Sequence, residues 1–151
     1  MDKAELLKEN RDELTGLLDK QAFYVWAQEL IDTAEDEKNY AFIFFDMDNF
    51  KLFNANYGFE KGDELLASIA KIVKEVFEDQ LVARFSGDHF VVCTNKAQIV
   101  PAIKQIKKRV KHIQKNINLE LKAGVYVLDG ETKDVIRCSH RARMACASRP
   151  T

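Results

Sequence analysis

The sequence is short of three things: cysteine, an excess of either charge, and long apolar runs. Three cysteines in 151 residues are too few, and odd in number, for a disulfide framework, which favours a reducing, cytoplasmic location. With 23 basic and 24 acidic residues the net charge is −1, so no bulk attraction to nucleic acid or to a membrane is expected. No apolar run approaches a membrane span, and the start, MDKAELLKEN, lacks a signal peptide's apolar core.

What is present is typical of a single globular domain. Hydrophobic residues make up 46% of the chain and charged residues 31%, and the length suffices to bury a core. There is no internal repeat, low-complexity tract or linker. Residues 1–10 predict a short charged connector helix, as from an upstream domain, and residues 11–151 form the domain itself.

Hydrophobic periodicity predicts helices and strands that alternate around one hairpin. The predicted elements are a helix capped by Asp19, a strand at 40–45, a helix at 62–77, a hairpin turning at 86–88, a helix at 97–117, a strand at 119–127 and a helix at 133–147. This order predicts an α/β (α+β) fold with a mixed central sheet. Its core would be the β-α-β-β-α-β arrangement of ferredoxin-like and polymerase-palm domains, flanked by helices.

Two carboxylates, Asp46 and Asp48, directly follow the predicted buried strand in the stretch FFDMDNFKLFN. Open α/β sheets bind ligands outside the carboxyl ends of their strands. Three interpretations arise: a phosphatase with an aspartate nucleophile, a nucleotide cyclase, or a polar turn in which Asp48 caps the next helix. The phosphatase needs a small hydroxyl or branched residue soon after the second aspartate, where this sequence has Asn-Phe-Lys.

A third carboxylate, Asp88, lies at the tip of the predicted hairpin. If the hairpin neighbours the first strand, Asp46 and Asp88 converge at one edge of the sheet. Two carboxylates and a backbone carbonyl can hold Mg²⁺, which prefers oxygen ligands and shares them with phosphates. Such a site could align a triphosphate, and Gly87 would let a phosphate or base approach the backbone closely.

Four ordered motifs resemble those of GGDEF domains, the diguanylate cyclases. RFSGDHF (84–90) is similar to the family signature R-[YF]-G-G-[DE]-E-F. DELTGLLDKQAF, FFDMDNFKLFN and YGFEKGDELL follow the family's order and spacing, and LKAGVYV resembles its late strand. The resemblance covers roughly residues 11–147 and identifies the chain as a degenerate member, with SGDHF in place of GGDEF.

The resemblance implies a reaction and a metal site. In the family, each domain of a homodimer holds one GTP, and the two nucleotides are joined into cyclic di-GMP. Asp46, the carbonyl of Met47 and Asp88 would ligate Mg²⁺, of which the family binds two. Asp88 would be a catalytic position, together with the degenerate position His89.

The resemblance also implies nucleotide-binding residues. Backbone amides near Asn49 and Phe50, with Lys51 close by, would face the phosphates. Asn54 and Asp63 would read the guanine edge, because an amide and a carboxylate offer the donor and acceptors that it needs. For Asn54 and Asp63 alone, helix capping or surface polarity is the alternative.

The sequence departs from the family pattern at positions expected to take part in catalysis. His89 replaces a glutamate, and its imidazole carries no negative charge and is a poor ligand for Mg²⁺. The alternative roles of His89 are packing or a pH-sensitive contact. The family's phosphate-binding lysine corresponds to Ala147 in this sequence. Arg141 and Arg143 are the candidate substitutes for that lysine, at a different helical phase. The inhibition motif R-x-x-D falls on 77–80 and is absent.

Degenerate members are typical of chains in which an EAL phosphodiesterase domain follows and a sensor domain precedes. We therefore expect a domain that binds GTP and Mg²⁺ and regulates its neighbour without making product. An active diguanylate cyclase, and a dimerisation or scaffold module without nucleotide, are the alternatives.

Overall fold

The structure, a computed structural model, describes residues 10–113 and 119–147, which contain nine α-helices and β-strands and two short 3₁₀ helices, Glu37–Asn39 and Lys96–Gln98. In order they are α1 (Lys20–Thr33), β1 (Tyr40–Asp48), α2 (Phe50–Tyr57), α3 (Phe59–Val76), β2 (Leu81–Ser86), β3 (His89–Asn95), α4 (Ile99–Lys111), β4 (Glu120–Val127) and α5 (Val135–Ala147). The predicted order is confirmed, with one exception. Between β1 and β2 the sequence predicts a single helix, at 62–77, which is found as α3, and a further helix, α2, precedes it.

The break between α2 and α3 is made by Gly58. Its φ of +89° is a conformation that other residues rarely adopt. Its N–H donates to the Asn54 carbonyl at 2.8 Å and ends α2, and its carbonyl accepts from Gly62 in the first turn of α3. Periodicity does not reveal α2 because Phe53 is its only buried residue.

The first helix begins where the sequence predicts. The Asp19 side chain accepts a hydrogen bond from the Ala22 N–H at 2.8 Å, as an N-cap does. One face of α1, with Phe23, Ala27 and Ile31, is fully buried. This face packs with β1 and α5 in the same hydrophobic cluster.

The four strands form one sheet in the order β2-β3-β1-β4. The ferredoxin-like order is confirmed, but the sheet is not mixed: all three ladders are antiparallel. The only parallel pairing among residues 10–113 and 119–147 is an isolated bridge between Leu18 and Ala83. The reason is topological, because the helices that cross over after β1 and β3 lead to strands that do not neighbour the ones they leave.

Two cores lie on opposite faces of the sheet. Ile43 and Phe45 of β1 point into the core beneath α3 and α4, and Phe42 and Phe44 point into the core beneath α1 and α5. The strand is therefore buried on both faces, as its apolar run predicts. On β4, Gly124 lets α5 approach so closely that any side chain there would collide with the α5 backbone.

Two of the predicted helices extend beyond the described residues. The connector helix at 1–10 lies outside them, apart from its last residue. The helix expected at 97–117 is confirmed as α4, which ends at Lys111, and residues 114–118 are outside the described part. Across the described ranges, no helix has the length and hydrophobicity needed to cross a bilayer.

Candidate functional site

A row of polar side chains crosses the sheet where β1 ends. Asp46 on β1 pairs with His89 on β3 and with Lys122 on β4, so the three residues lie side by side. Directly opposite residues in antiparallel strands place their side chains on the same face. The next row, at Phe44, is covered by α5, whereas the side chains of Asp46 and His89 are 41% and 24% exposed.

The hairpin brings Asp88 to the same point. Its Oδ2 accepts a hydrogen bond from the Met47 N–H at 3.1 Å. His89 Nε2 lies 3.3 Å from Asp46 Oδ1 and 3.9 Å from Asp88 Oδ1. One ligand atom from each of these three side chains lies within 4.8 Å of the others. The structure thus brings together Asp46, Met47, Asp88 and His89, as the sequence predicts.

The ionisation of these groups reflects crowded negative charge. Burial, followed by the hydrogen bond and repulsion of Asp46, raises the pKa of Asp88 above its usual range. The hydrogen bond from His89 lowers the pKa of Asp46 despite the opposing effect of burial. The same bond raises the pKa of His89. Asp46 and Asp88 thus repel each other, and a positive charge near them, from His89 or from a bound cation, relieves that repulsion.

The donor set fits a divalent ion in part. Asp46 and Asp88 offer converging carboxylate oxygens, and the raised pKa of Asp88 shows a charge density that a bound cation would relieve. His89 adds no negative charge and no oxygen ligand. The cluster can therefore hold one Mg²⁺ through oxygen, with fewer acidic ligands than a set of three carboxylates.

A second feature lies between α2 and α3. The Asn54 side chain fills the space above Gly62, where any Cβ would collide with its Oδ1. That oxygen is buried and has no hydrogen-bond partner among the described residues. Asp63, the next residue on α3, is exposed. Asn54 and Asp63 thus place an amide and an exposed carboxylate side by side, groups that offer a donor and acceptors to a ligand.

The turn between β1 and α2 presents a helix N-terminus beside the carboxylates. Asn49 has φ of +65°, a left-handed conformation that asparagine tolerates better than most residues. Phe50 begins α2 and packs against the core, and Lys51 is exposed. The first-turn amides of α2 thus follow Asp48 directly, in the position where the sequence expects phosphate contacts.

Two arginines of α5, Arg141 and Arg143, differ in the contacts that they make. Arg141 donates to the Tyr126 hydroxyl and to Glu131 Oε1, each at 3.0 Å. Arg143 Cζ instead lies 5.5 Å from the Phe44 ring centroid, and Ala147 ends the helix. Arg141 is therefore committed to a local network, whereas Arg143 lies beside the cluster of Asp46, Asp88 and His89, which we call the carboxylate row.

One feature that the sequence does not reveal joins the opening turn to the hairpin. Arg84 Nη1 lies 3.2 Å from both carboxylate oxygens of Asp12, and Arg84 Nε donates to the Gly87 carbonyl at 2.9 Å. The Thr15 hydroxyl and amide also donate to Asp12. Although burial acts to raise the pKa of Asp12, these hydrogen bonds lower it. The ion pair fixes the hairpin that carries Asp88.

Comparisons with known proteins agree with this arrangement. A family model described as diguanylate cyclase, GGDEF domain, matches residues 9–149. Cyclic di-GMP phosphodiesterase PdeB of Shewanella oneidensis is 34% identical over 129 residues, which cover 80% of this chain and 15% of that protein. The bifunctional diguanylate cyclase/cyclic di-GMP phosphodiesterase MucR of Pseudomonas aeruginosa is 28% identical over 144 residues, which cover 88% of this chain and 21% of MucR.

A solved structure supports the fold. The GGDEF domain of DgcB from Caulobacter crescentus, in complex with c-di-GMP, matches with a TM-score of 0.80 at 21% identity, covering 92% of this chain and 86% of that one. The chain spans a quarter or less of the length of the two curated relatives. With a family match over nearly its whole length, the chain belongs to the GGDEF family of diguanylate cyclases, as a domain of cyclic di-GMP signalling.

Proposed function

We propose that this domain binds GTP and Mg²⁺ and regulates a neighbouring domain without completing the cyclase reaction. The observation that carries the proposal is the pairing of His89 with Asp46, whose atoms Nε2 and Oδ1 are 3.3 Å apart. Two carboxylates are retained for a cation, but an imidazole stands where the family has a third acid. Binding and chemistry therefore make different demands on this site.

The retained residues support nucleotide binding. Asp46, the Met47 carbonyl and Asp88 would hold Mg²⁺, which when bound would neutralise phosphate charge and orient the triphosphate. The Met47 N–H donates to Asp88 and holds this carboxylate against the end of β1. The amides at Asn49 and Phe50 begin α2 beside the carboxylates, where a helix N-terminus favours an anion.

Guanine recognition rests on Asn54 and Asp63. The Asn54 amide has an oxygen without a hydrogen-bond partner among the described residues, and Asp63 carries an exposed carboxylate, so the pair offers the donor and acceptors that a guanine edge needs. Lys51 is exposed one helical turn before Asn54 and would lie toward the phosphates. A base lacking these donors would leave Asn54 Oδ1 unsatisfied.

The altered residues oppose turnover. Joining two nucleotides requires charge neutralisation and firm alignment of the triphosphate, because the protein supplies no covalent intermediate. His89 at the degenerate catalytic position beside Asp88 removes one negative charge from the metal site, and Ala147 lacks the expected cation. We therefore assign the domain a regulatory role that depends on nucleotide occupancy.

The wider setting extends the proposal. PdeB and MucR carry phosphodiesterase names and are several times longer than this chain. We propose that the domain works in the cytoplasm as a homodimer, in a longer protein with an EAL phosphodiesterase domain and an upstream sensor. Residues 1–10 would be the connector to that sensor.

An active cyclase is the second candidate. It is favoured by one specific observation: both carboxylates, Asp46 and Asp88, converge as the family's reaction requires. A scaffold that binds no nucleotide is the third, and the unsatisfied Asn54 oxygen argues against it.

Titration calorimetry tests the proposal. We expect GTP to bind in the presence of Mg²⁺ and to bind much more weakly after EDTA is added. If GTP binds neither with Mg²⁺ nor with EDTA, the proposal is contradicted and the scaffold without nucleotide is the remaining candidate.

A further inference from the structure

Two cationic side chains flank the carboxylate row, one on β4 and one on α5. Lys122 lies opposite Asp46 in the β1–β4 ladder, and its Nζ is 3.9 Å from Asp48 Oδ2. The Lys122 side chain is 29% exposed and reaches the open end of the row. A cation in this position is available to an anion that arrives at the row.

Arg143 approaches the same row from above. Its guanidinium packs on the Phe44 ring, and the Phe44 ring centroid lies 5.1 Å from that of His89. Phe44 is two residues before Asp46, so both side chains lie on the same face of β1. The guanidinium thus stands at the border between α5 and the open site.

The engagement of these cations differs from that of Arg141. Arg141 is held by Glu131 and Tyr126 in short contacts. Arg143 is exposed and forms no ion pair with any residue in the described ranges. A stacked arginine keeps its N–H donors available for a phosphate, because the ring occupies only the face of the guanidinium.

We infer that Lys122 and Arg143 bind the β- and γ-phosphates of the nucleotide, in place of the lysine that is missing at position 147. The inference rests on the proposed function and names the residues that hold the polyphosphate. Arg143 lies four residues before Ala147, hence on the same face of α5 and one turn earlier, so the different helical phase expected from the sequence holds for Arg141 alone. Its longer side chain can cover that turn, and Lys122 supplies a second charge from the sheet.

The positions of Lys122 and Arg143 indicate which class of ligand the pair binds. One charge from the strand and one from the helix, on either side of Asp46, suit a ligand with several negative charges. A monophosphate offers fewer charges and reaches fewer of these donors. The pair should therefore distinguish GTP from GMP and contribute nothing to the choice between guanine and adenine.

The test is calorimetry of GTP and of GMP, each with Mg²⁺, on the unmodified chain and on Lys122→Gln and Arg143→Gln. Arg137→Gln is the matched control, since Arg137 is an exposed arginine of the same helix away from the row. We expect each site variant to weaken GTP binding about tenfold and GMP binding much less. Arg137→Gln should change neither, and circular dichroism should show all the variants folded.

A further variant separates a phosphate contact from a structural one. Asp48→Asn breaks the same ion pair as Lys122→Gln but leaves the lysine in place. It should tighten GTP binding or leave it unchanged, whereas a merely structural ion pair would make both variants weaken it.

The possible outcomes are distinguishable. If the unmodified chain binds GTP and both site variants bind it as tightly as Arg137→Gln does, the inference is overturned and the proposed function stands. An equal loss for GTP and GMP would also overturn it, because the effect would then not lie in the outer phosphates. If the unmodified chain binds no GTP, both ideas fail.

Discussion

The polar pair Asn54 and Asp63 between α2 and α3, and the carboxylate row at the end of β1, differ in how much of the family pattern they keep. The polar pair retains both expected residues. The row keeps Asp46 and Asp88 but carries His89 where the family has an acid. Base recognition needs only complementary hydrogen bonds, whereas the reaction needs charges placed for the transition state. A domain can therefore lose its chemistry while its nucleotide site persists.

The largest expected effect is at the row. Asp46→Ala should weaken GTP binding on the order of 100-fold in Mg²⁺, because it removes a charged ligand of the ion. In EDTA the same variant should change binding little. Calorimetry under both conditions measures this difference, with Asp32→Ala, an exposed aspartate of α1, as the control. An equal loss with and without metal would mean that Asp46 serves the fold alone.

The next effect concerns the polar pair Asn54 and Asp63. GTP should bind roughly 30-fold or more tightly than ATP, because adenine reverses the donor and acceptor pattern and leaves Asn54 Oδ1 unsatisfied. Asn54→Ala should reduce this preference, and Asn56→Ala, at an exposed position of the same helix, should not. Competition binding with the two nucleotides gives the ratio. Equal affinities would remove the guanine assignment.

The fold was predictable to a greater degree than the site. Buried runs such as 40–45 and the helical cap at Asp19 are local signals, and both are confirmed. The antiparallel pairing and the split of α2 from α3 depend on tertiary contacts and on Gly58 at φ +89°. Local patterning cannot encode them, because neighbours in the sheet are distant in sequence.

Within the site, the motifs predicted which acids converge but not what surrounds them. The proximity of Asp46 and Asp88 follows from two motifs on adjacent strands. Lys122 lies opposite Asp46 only because of the β1–β4 register, which no motif specifies. Arg143 gains its position from the close packing of α5 on Gly124. Strand register and helix packing are therefore the features of the site that the sequence motifs did not predict.

A smaller effect concerns the ion pair between Arg84 and Asp12, which holds the hairpin that carries Asp88. Arg84→Gln should lower the free energy of unfolding by about 1–2 kcal/mol near neutral pH, because the partly buried Asp12 loses its ion pair. The variant should leave the ratio of GTP to ATP affinity unchanged. Urea unfolding gives the first quantity. An unchanged stability would show that this ion pair does not hold the hairpin.

The pH dependence of that ion pair has a definite sign. The pKa of Asp12 is lower in the folded chain than its usual value of 3.8, so its stabilisation is fully present above that pH. It is lost as the pH falls below 3.8 through the folded value. The difference in stability between the unmodified chain and Asp12→Asn should shrink over this acid range. A difference that stays constant would contradict the assignment.

The smallest effect is a gain of turnover. His89→Glu combined with Ala147→Lys restores an acid beside Asp88 and a cation one turn beyond Arg143. We expect trace cyclic di-GMP from this double variant and none from His89→Glu alone, measured by chromatography. Product from the single variant would show that the missing acid is the whole defect.

The most direct test of the central claim is an assay for cyclic di-GMP on a sample that calorimetry has shown to be saturated with GTP and Mg²⁺. The chain should be assayed at concentrations that favour dimers, with Asp88→Ala alongside. The account predicts bound GTP and no detectable product. Cyclic di-GMP made by the unmodified chain and abolished by Asp88→Ala would contradict it and establish an active cyclase.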